Sequence, residues 1–326
     1  MQRTSKILGL AAAATLAACG GSGGGGPERG AISIAVTDAP VDEATAVVIA
    51  MTELELKPAG GAAFRVPVID APRELDLTDF TNGTAATLIE DEDVPAGEYE
   101  WMRIYFDESA SYIQLEQDGA TYPLVIPSGS ETGLKLVSGF TVPVNEGVTY
   151  MLDFDLRKSV IEPPGQAGPN GEPRRFVLRP AVRIMNAAET GGVEGTVGAT
   201  LVDVNSERCL ASDPPLTGNA VYVFAGADAV LDDVADEETD AAAPPLTSDV
   251  VEMDAASGAF EYHLMFLLPG TYTLAFTCSA SADGASDADY PPTPESRFDF
   301  DATINVEVVG GEVKTCPIPA EASETC

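Results

Sequence analysis

The chain has 326 residues, 45% of them hydrophobic, and sets 52 acidic against 17 basic side chains for a formal net charge of −35. That length fits about two domains, and that hydrophobic content can fill packed cores, which argues against wholesale disorder. So negative a surface repels nucleic-acid phosphates and excludes DNA or RNA as an expected partner.

Taken from the start, Arg3 and Lys6 precede an apolar run from Ile7 to Ala18 that is too short to span a bilayer. The run ends in Leu16-Ala17-Ala18-Cys19. This resembles the lipobox of bacterial lipoproteins, whose cysteine thiol takes diacylglycerol and becomes the mature N-terminus. The resemblance implies a signal peptide over 1–18 and a lipid on Cys19 that holds the chain to a bilayer. Because Gly20 rather than aspartate follows the cysteine, it also implies an outer-membrane location, with the periplasmic or surface face left open. Residues 20–30 read GGSGGGGPERG, so 19–30 form a lipidated, flexible tether with a reach of roughly 20 Å.

Beyond the tether the pattern is that of strands. Ile32, Ile34 and Val36 alternate with small and polar residues, as do Val47, Ile49 and Met51. Leu54 and Leu56 continue in the opposite phase, which predicts a bulge near Thr52 and Glu53. Met102, Ile104 and Phe106, then Leu152, Phe154 and Leu156, repeat the alternation, and Phe176, Leu178, Val182 and Ile184 close a first unit. Turn residues such as Pro95-Ala96-Gly97 and Asn145-Glu146-Gly147 fall at close intervals, and no long stretch keeps a helical period. Charge divides the chain too: residues 31–187 hold 25 acids and 11 bases, whereas 188–326 hold 26 acids and 3 bases. Two domains are expected, 31–187 and 192–326.

An internal echo links them. Val94-Pro95-Ala96-Gly97-Glu98-Tyr99 leads into EWMRIYF, and Leu268-Pro269-Gly270-Thr271-Tyr272 leads into TLAFTC. In each, proline and glycine set a turn, the glycine at positive φ, and tyrosine starts an edge-facing strand. With Asp254 to Tyr262 before it, the second copy resembles the prealbumin-like sandwiches, among them carboxypeptidase regulatory-like and starch-binding-like modules. In the first unit ISIAVTDAPVDEA, VVIAMTELELKP, LTDFTNGTAATLI, VPAGEYEWMRIYFD, YPLVIPSGSETGLKLVSGF, DFDLRKSV and FVLRPAVRI occur in the order of a bacterial exported family. It is similar to domain-of-unknown-function family 4382, usually carried on lipoproteins. Together these resemblances imply an all-β chain of two antiparallel, Greek-key β-sandwiches in the cell envelope. They imply no activity.

Residues that could carry chemistry are few. His263, the single histidine, alternates with Tyr262 and Leu264 on a strand, and no nucleophile elbow accompanies it. With Cys19 lipidated, Cys209, Cys278, Cys316 and Cys326 remain in an oxidising compartment, and two disulfides are expected. Of three possible pairings, Cys209 with Cys278 and Cys316 with Cys326 is favoured. The acidic runs Asp232–Asp240 and Asp283–Asp289 lack the spacing of a calcium loop and read as solvated. No metal or cofactor is expected.

One cluster departs from the acidic background: Arg157, Lys158, Arg174, Arg175, Arg179 and Arg183 flank the Pro/Gly-rich stretch 162–173. Cross-strand ion pairs with Asp153 and Asp155 are one reading for Arg157, Arg179 and Arg183. An anion or ligand site at Lys158, Arg174 and Arg175 is the other. The expected function is a non-catalytic binding or adhesion module, carbohydrate first among its ligands, with an envelope protein as the other candidate partner. A structural or assembly role is the alternative, and a secreted hydrolase a distant one. Exposed Trp101, Tyr105, Tyr112 and Tyr122 would favour a glycan.

Overall fold

The computed structural model describes residues 28–39, 44–80, 83–116, 118–127, 131–162, 175–179, 181–202, 218–234, 244–280, 299–318 and 325–326. The signal peptide, Cys19, most of the tether, Arg174, Cys209 and most of both acidic runs lie outside them.

Among the described residues the first unit is built from β1 (Arg29–Ala39), β2 (Ala44–Pro58), β3 (Phe64–Pro67), β4 (Arg73–Asp76), β5 (Ala86–Pro95), β6 (Gly97–Phe106) and β7 (Tyr112–Leu115). It continues with β8 (Thr121–Val125), β9 (Leu134–Leu136), β10 (Phe140–Val142), β11 (Gly147–Asp155), β12 (Val160–Ile161), β13 (Phe176–Leu178) and β14 (Val182–Asn186). A sheet in the order β14-β11-β1-β5 packs on a larger one whose spine is β10-β6-β2-β7-β8-β13-β12. Ile32, Ile34 and Val36 from the first sheet meet Leu54, Leu56, Met102, Ile104 and Phe106 from the second in one core. The phase change in β2 is a bulge: Met51 pairs with Phe106 and Glu53 with Tyr105, so Thr52 is the extra residue. The insertion lets both halves of a 15-residue strand point their aliphatic side chains inward.

The second unit comprises β15 (Gly191–Val197), β16 (Ala220–Ala225), β17 (Thr247–Val250), β18 (Glu252–Met253), β19 (Phe260–Leu267), β20 (Gly270–Thr277), β21 (Ala302–Val308) and β22 (Val313–Thr315). Sheets β18-β19-β15-β22 and β17-β16-β20-β21 enclose a separate core around Tyr262, Leu264, Leu274, Phe276 and Val306. Two four-stranded sheets over one core agree with the prealbumin-like resemblance. The ladders are not all antiparallel: β1 with β11, β8 with β13 and β15 with β22 run parallel. Each of these pairs joins segments far apart in sequence, where no hairpin imposes direction.

The echoed turns fold alike. Tyr99 donates from Oη to the carbonyl of Pro95 at 2.7 Å, and Tyr272 to that of Leu268 at 2.6 Å. Burial pushes the Tyr99 hydroxyl up to about 12. Neither strand lies at an edge, contrary to expectation: β6 sits between β2 and β10, and β20 between β16 and β21. A buried tyrosine needs neighbours on both sides to cover its ring, and Tyr99 stacks on Phe140 of the adjoining strand. Gly97 takes φ +127°, whereas Gly270 stays out of the positive region.

The units touch through a bulge. Gly191 pairs with Leu267 and Val193 with Leu264, so Met265 and Phe266 together oppose Gly192. Phe266, at φ +56°, packs on Ala35, Met151 and Met185 of the first unit, while Met265 lies against Gly83 and Gly192. A Cβ on Gly83 would stand 2.7 Å from Met265, so this approach requires glycine. Arg157 reaches across to the Tyr222 hydroxyl, with its guanidinium 5.1 Å from the ring centroid. Beside it a cavity of about 20 Å³ is walled by Asp153 and Thr37 from one unit and Ser248, Asp249 and His263 from the other.

Candidate functional site

Of the three residues expected to hold an anion, Lys158 is committed to the protein, Arg175 is exposed and Arg174 lies outside the described residues. Strand β11 ends at Asp155, whose carboxylate caps the helical turn Leu156–Ser159. The turn swings Arg157 off the strand toward the Tyr222 hydroxyl of the second unit, rather than into the cross-strand ion pairs expected for it. Lys158 donates to the Pro245 carbonyl and lies 3.2 Å from Asp155. Arg183 is bonded to Asp153 across the β11–β14 ladder, one of the expected ion pairs. Arg179 is exposed and has no acidic partner among the described residues. Arg175 is exposed also.

Cys316 and Cys326 form a disulfide, with Cα atoms 5.5 Å apart. Cys278 is buried and disulfide-bonded as well. His263 presents its backbone N–H to Asp249 at 2.6 Å, which ties β19 to β17. Burial pushes the Asp249 carboxyl up to about 7, against the pull of hydrogen bonds from the His263 and Val250 backbone. Among the described residues no group of three or more metal-ligating side chains converges. No helix among them is long and apolar enough to cross a membrane. An open cleft of about 930 Å³ runs along β11 and β14, and its charged lining residues are the acids Glu146 and Glu189.

A different surface collects cations and aromatic rings. On the outer face of the large sheet, strands β9, β6, β2 and β3 lie side by side, and their pairing aligns side chains far apart in sequence. Lys135 pairs with Arg103, Arg103 with Glu55, and Glu55 with Arg65. The flanking rows pair Trp101 with Lys57 and Tyr105 with Glu53. A second bulge makes this possible: Lys57 opposes Trp101 and Pro58 opposes Tyr99, so Glu100 is the extra residue. Tyr99 and Met102 thereby point inward, and Trp101, Arg103 and Tyr105 outward.

The half-buried Trp101 ring has the Arg103 guanidinium 4.7 Å and the Lys135 ammonium 5.0 Å from its centroid. Arg65 lies 4.1 Å over Tyr105, whose hydroxyl donates to Glu55 at 3.0 Å. Gly133 backs the same ring, and with Arg65 it leaves Tyr105 buried although the ring faces outward. Arg65 is paired with Glu53, and Lys57 approaches Glu100 at 3.7 Å. Arg103 stands 3.7 Å from Glu55, outside hydrogen-bond range, and its Nε is buried with no acceptor among the described residues. Lys135 is exposed and has no acidic partner there. Four of the chain's 17 bases thus meet four acids, Glu53, Glu55, Glu98 and Glu100, on one face, a locally balanced patch on a chain of net −35. Of the other two rings, Tyr122 packs on the core and donates to Asp118, and Tyr112 is half-buried. The sequence singled out Trp101 and Tyr105 but missed Arg65, Arg103 and Lys135, which only strand register brings together.

Comparison with curated proteins returns no match. Among solved structures, the chain is similar to the Bacillus anthracis TIE protein at 12% identity, over 90% of this chain and 34% of that one, with a TM-score of 0.18. It therefore spans about a third of that protein's length. It is similar to GBS52, the minor pilin of Streptococcus agalactiae, at 11% identity over 88% and 94% of the two chains, with a TM-score of 0.18. A putative cell adhesion protein from Bacteroides eggerthii matches at 12% identity over 91% and 88%, with a TM-score of 0.22. Residues 29–180, which carry most of both sheets of the first unit and the cationic face, match the family model described as Domain of unknown function (DUF4382).

Proposed function

We propose that the chain is a non-catalytic binding module, held by a lipid on Cys19 to the outer membrane of a bacterial cell, with the β9-β6-β2-β3 face as its contact surface for an anionic ligand. The observation that carries the reading is the concentration of four of the chain's 17 bases about Trp101 and Tyr105 on an otherwise strongly acidic chain. Global charge repels anions, but screening confines that repulsion to about 8 Å at physiological salt, so the local cluster governs contact. Arginine suits carboxylate and phosphate groups, and cation–aromatic contacts hold the guanidinium in place. The test is retention of the detergent-purified full chain on an immobilised polyanion, compared with Arg103→Gln and Lys135→Gln. Retention that both substitutions weaken supports the reading, and retention indifferent to them removes this face from it.

A structural role in the envelope is a second reading, favoured by the junction of Phe266, Arg157 and Lys158, which ties the two units together. On that reading the division at 187–192 marks a stiffened joint between two domains rather than a free hinge.

A further inference from the structure

The cations of this face are laid out along a line. Lys135, Arg103, Glu55 and Arg65 occupy one row that crosses four strands at right angles to their direction. Adjacent strands lie about 4.8 Å apart, so the row is about 14 Å long. A small anion is held by donors that converge; donors in a row suit an extended ligand. Trp101 and Tyr105 stand two residues to either side of Arg103 along β6, about 7 Å away in each direction. None of the residues forming the rows is an exposed aliphatic side chain. The cores of protein–protein interfaces are depleted in Lys and Glu, whereas a sugar offers hydroxyls for the charged side chains and a C–H face for the half-buried Trp101 ring.

The order of charges narrows the class. One cationic end, Arg103 with Lys135, has a donor group to spare, since Lys135 is exposed and has no acid among the described residues. The other end is the half-exposed Arg65. Between them Glu55 repels a carboxylate but can accept from a hydroxyl. The cations on β6 and β3 are two strands apart, about 10 Å, and one strand spacing is comparable to the length of one pyranose ring. We infer that the face binds a linear polysaccharide running across the strands, with a carboxylate on every second sugar and a neutral sugar over Glu55. The inference rests on the proposed anion-binding face and gives its ligand a chemical class.

The experiment measures binding of the detergent-purified full chain at about 0.15 M salt. The probes are hyaluronan oligosaccharides of increasing length (alternating uronate and neutral sugars), polygalacturonate (uronate on every sugar), dextran sulfate and dextran. Expected are preference for the alternating polymer, affinity levelling off near about four sugars, and loss of about tenfold or more with Arg103→Gln or Lys135→Gln. Glu55→Gln removes the repulsive position and should admit polygalacturonate. Thermal melts confirm that each variant is folded; Lys135, being exposed, keeps the test valid should Arg103→Gln not fold. Dextran sulfate bound as well as hyaluronan, with both lost in the variants, would overturn the glycan class and leave the anion-binding face standing. No polyanion bound through this face would overturn both.

Discussion

Replacing Asp249 by asparagine probes the junction between the units. The carboxyl is 4% exposed, and desolvation raises its pKa to about 7 from an ordinary value near 3.8, with Glu252 adding to the rise and the His263 and Val250 backbone and Arg157 opposing it. A carboxyl raised on folding favours the fold while it is protonated. Its contribution is complete below about pH 4, is lost as pH rises toward 7, and is gone above that. Three pH units at 1.36 kcal/mol each make this on the order of 4 kcal/mol. Asparagine keeps an acceptor for the His263 N–H but carries no charge. The variant should therefore match the wild type near pH 4 and exceed it at pH 8, by about 8–16 °C in Tm at about 2–4 °C per kcal/mol. Exposed Asp107 and Asp254, whose carboxyls Ser109 and Ser257 hold below the usual range, tilt both proteins alike and cancel in the difference. Circular-dichroism melts from pH 4 to 8 read the result. Parallel Tm curves for the two proteins would refute a buried, neutral Asp249.

Arg183→Ala leaves Asp153 buried without its ion-pair partner and should cost about 3–5 kcal/mol in urea unfolding. Arg179→Ala, at an exposed position, should stay within about 0.5 kcal/mol; equal losses for the two would contradict the observed pairing. Cys316→Ser opens a loop with a sequence separation of 10 and should lower stability by about 2–3 kcal/mol in non-reducing melts, while an unchanged Tm would show that the bridge constrains little. Cys19→Ala should abolish fatty-acid labelling and shift the protein from the membrane to the soluble fraction; an intact mass showing unmodified Cys19 in the wild type would remove the anchor from the reading.

The sequence was most legible where one strand carries its own message. The reversed phase of Leu54 and Leu56 locates the bulge at Thr52 because alternation along a strand depends only on neighbours in sequence. The two Pro-Gly-Tyr segments were legible as a matched pair for the same reason, though whether their strands lie at an edge depends on partners no local pattern names. The basic cluster was misleading in another way. Lys158 stands beside a Pro/Gly-rich stretch that suggests an exposed site, yet the carboxylate of Asp155 starts a helical turn that carries it to Pro245 of the other unit. Tertiary contact thus overrode the loop-like local signal.

The candidate face shows why a binding surface on a sandwich is harder to read than its core. Core residues announce themselves by alternation, and any aliphatic side chain at such a position serves. An outer face is defined by rows that cross strands, and each row joins residues whose separation is set by intervening loops: Arg65, Arg103 and Lys135 span 71 positions of sequence yet lie within three strand spacings. Register decides which of them meet. The bulge at Glu100 matters here as much as any side chain. With Glu100 in regular alternation rather than bulged, a single phase through β6 would place Trp101, Arg103 and Tyr105 on the same face as Tyr99. Either the tyrosine would lose its burial against Phe140, or the cations and the tryptophan would turn into the core. One inserted residue therefore serves both demands, holding the tyrosine that closes the turn inside while turning the charged and aromatic row out to solvent.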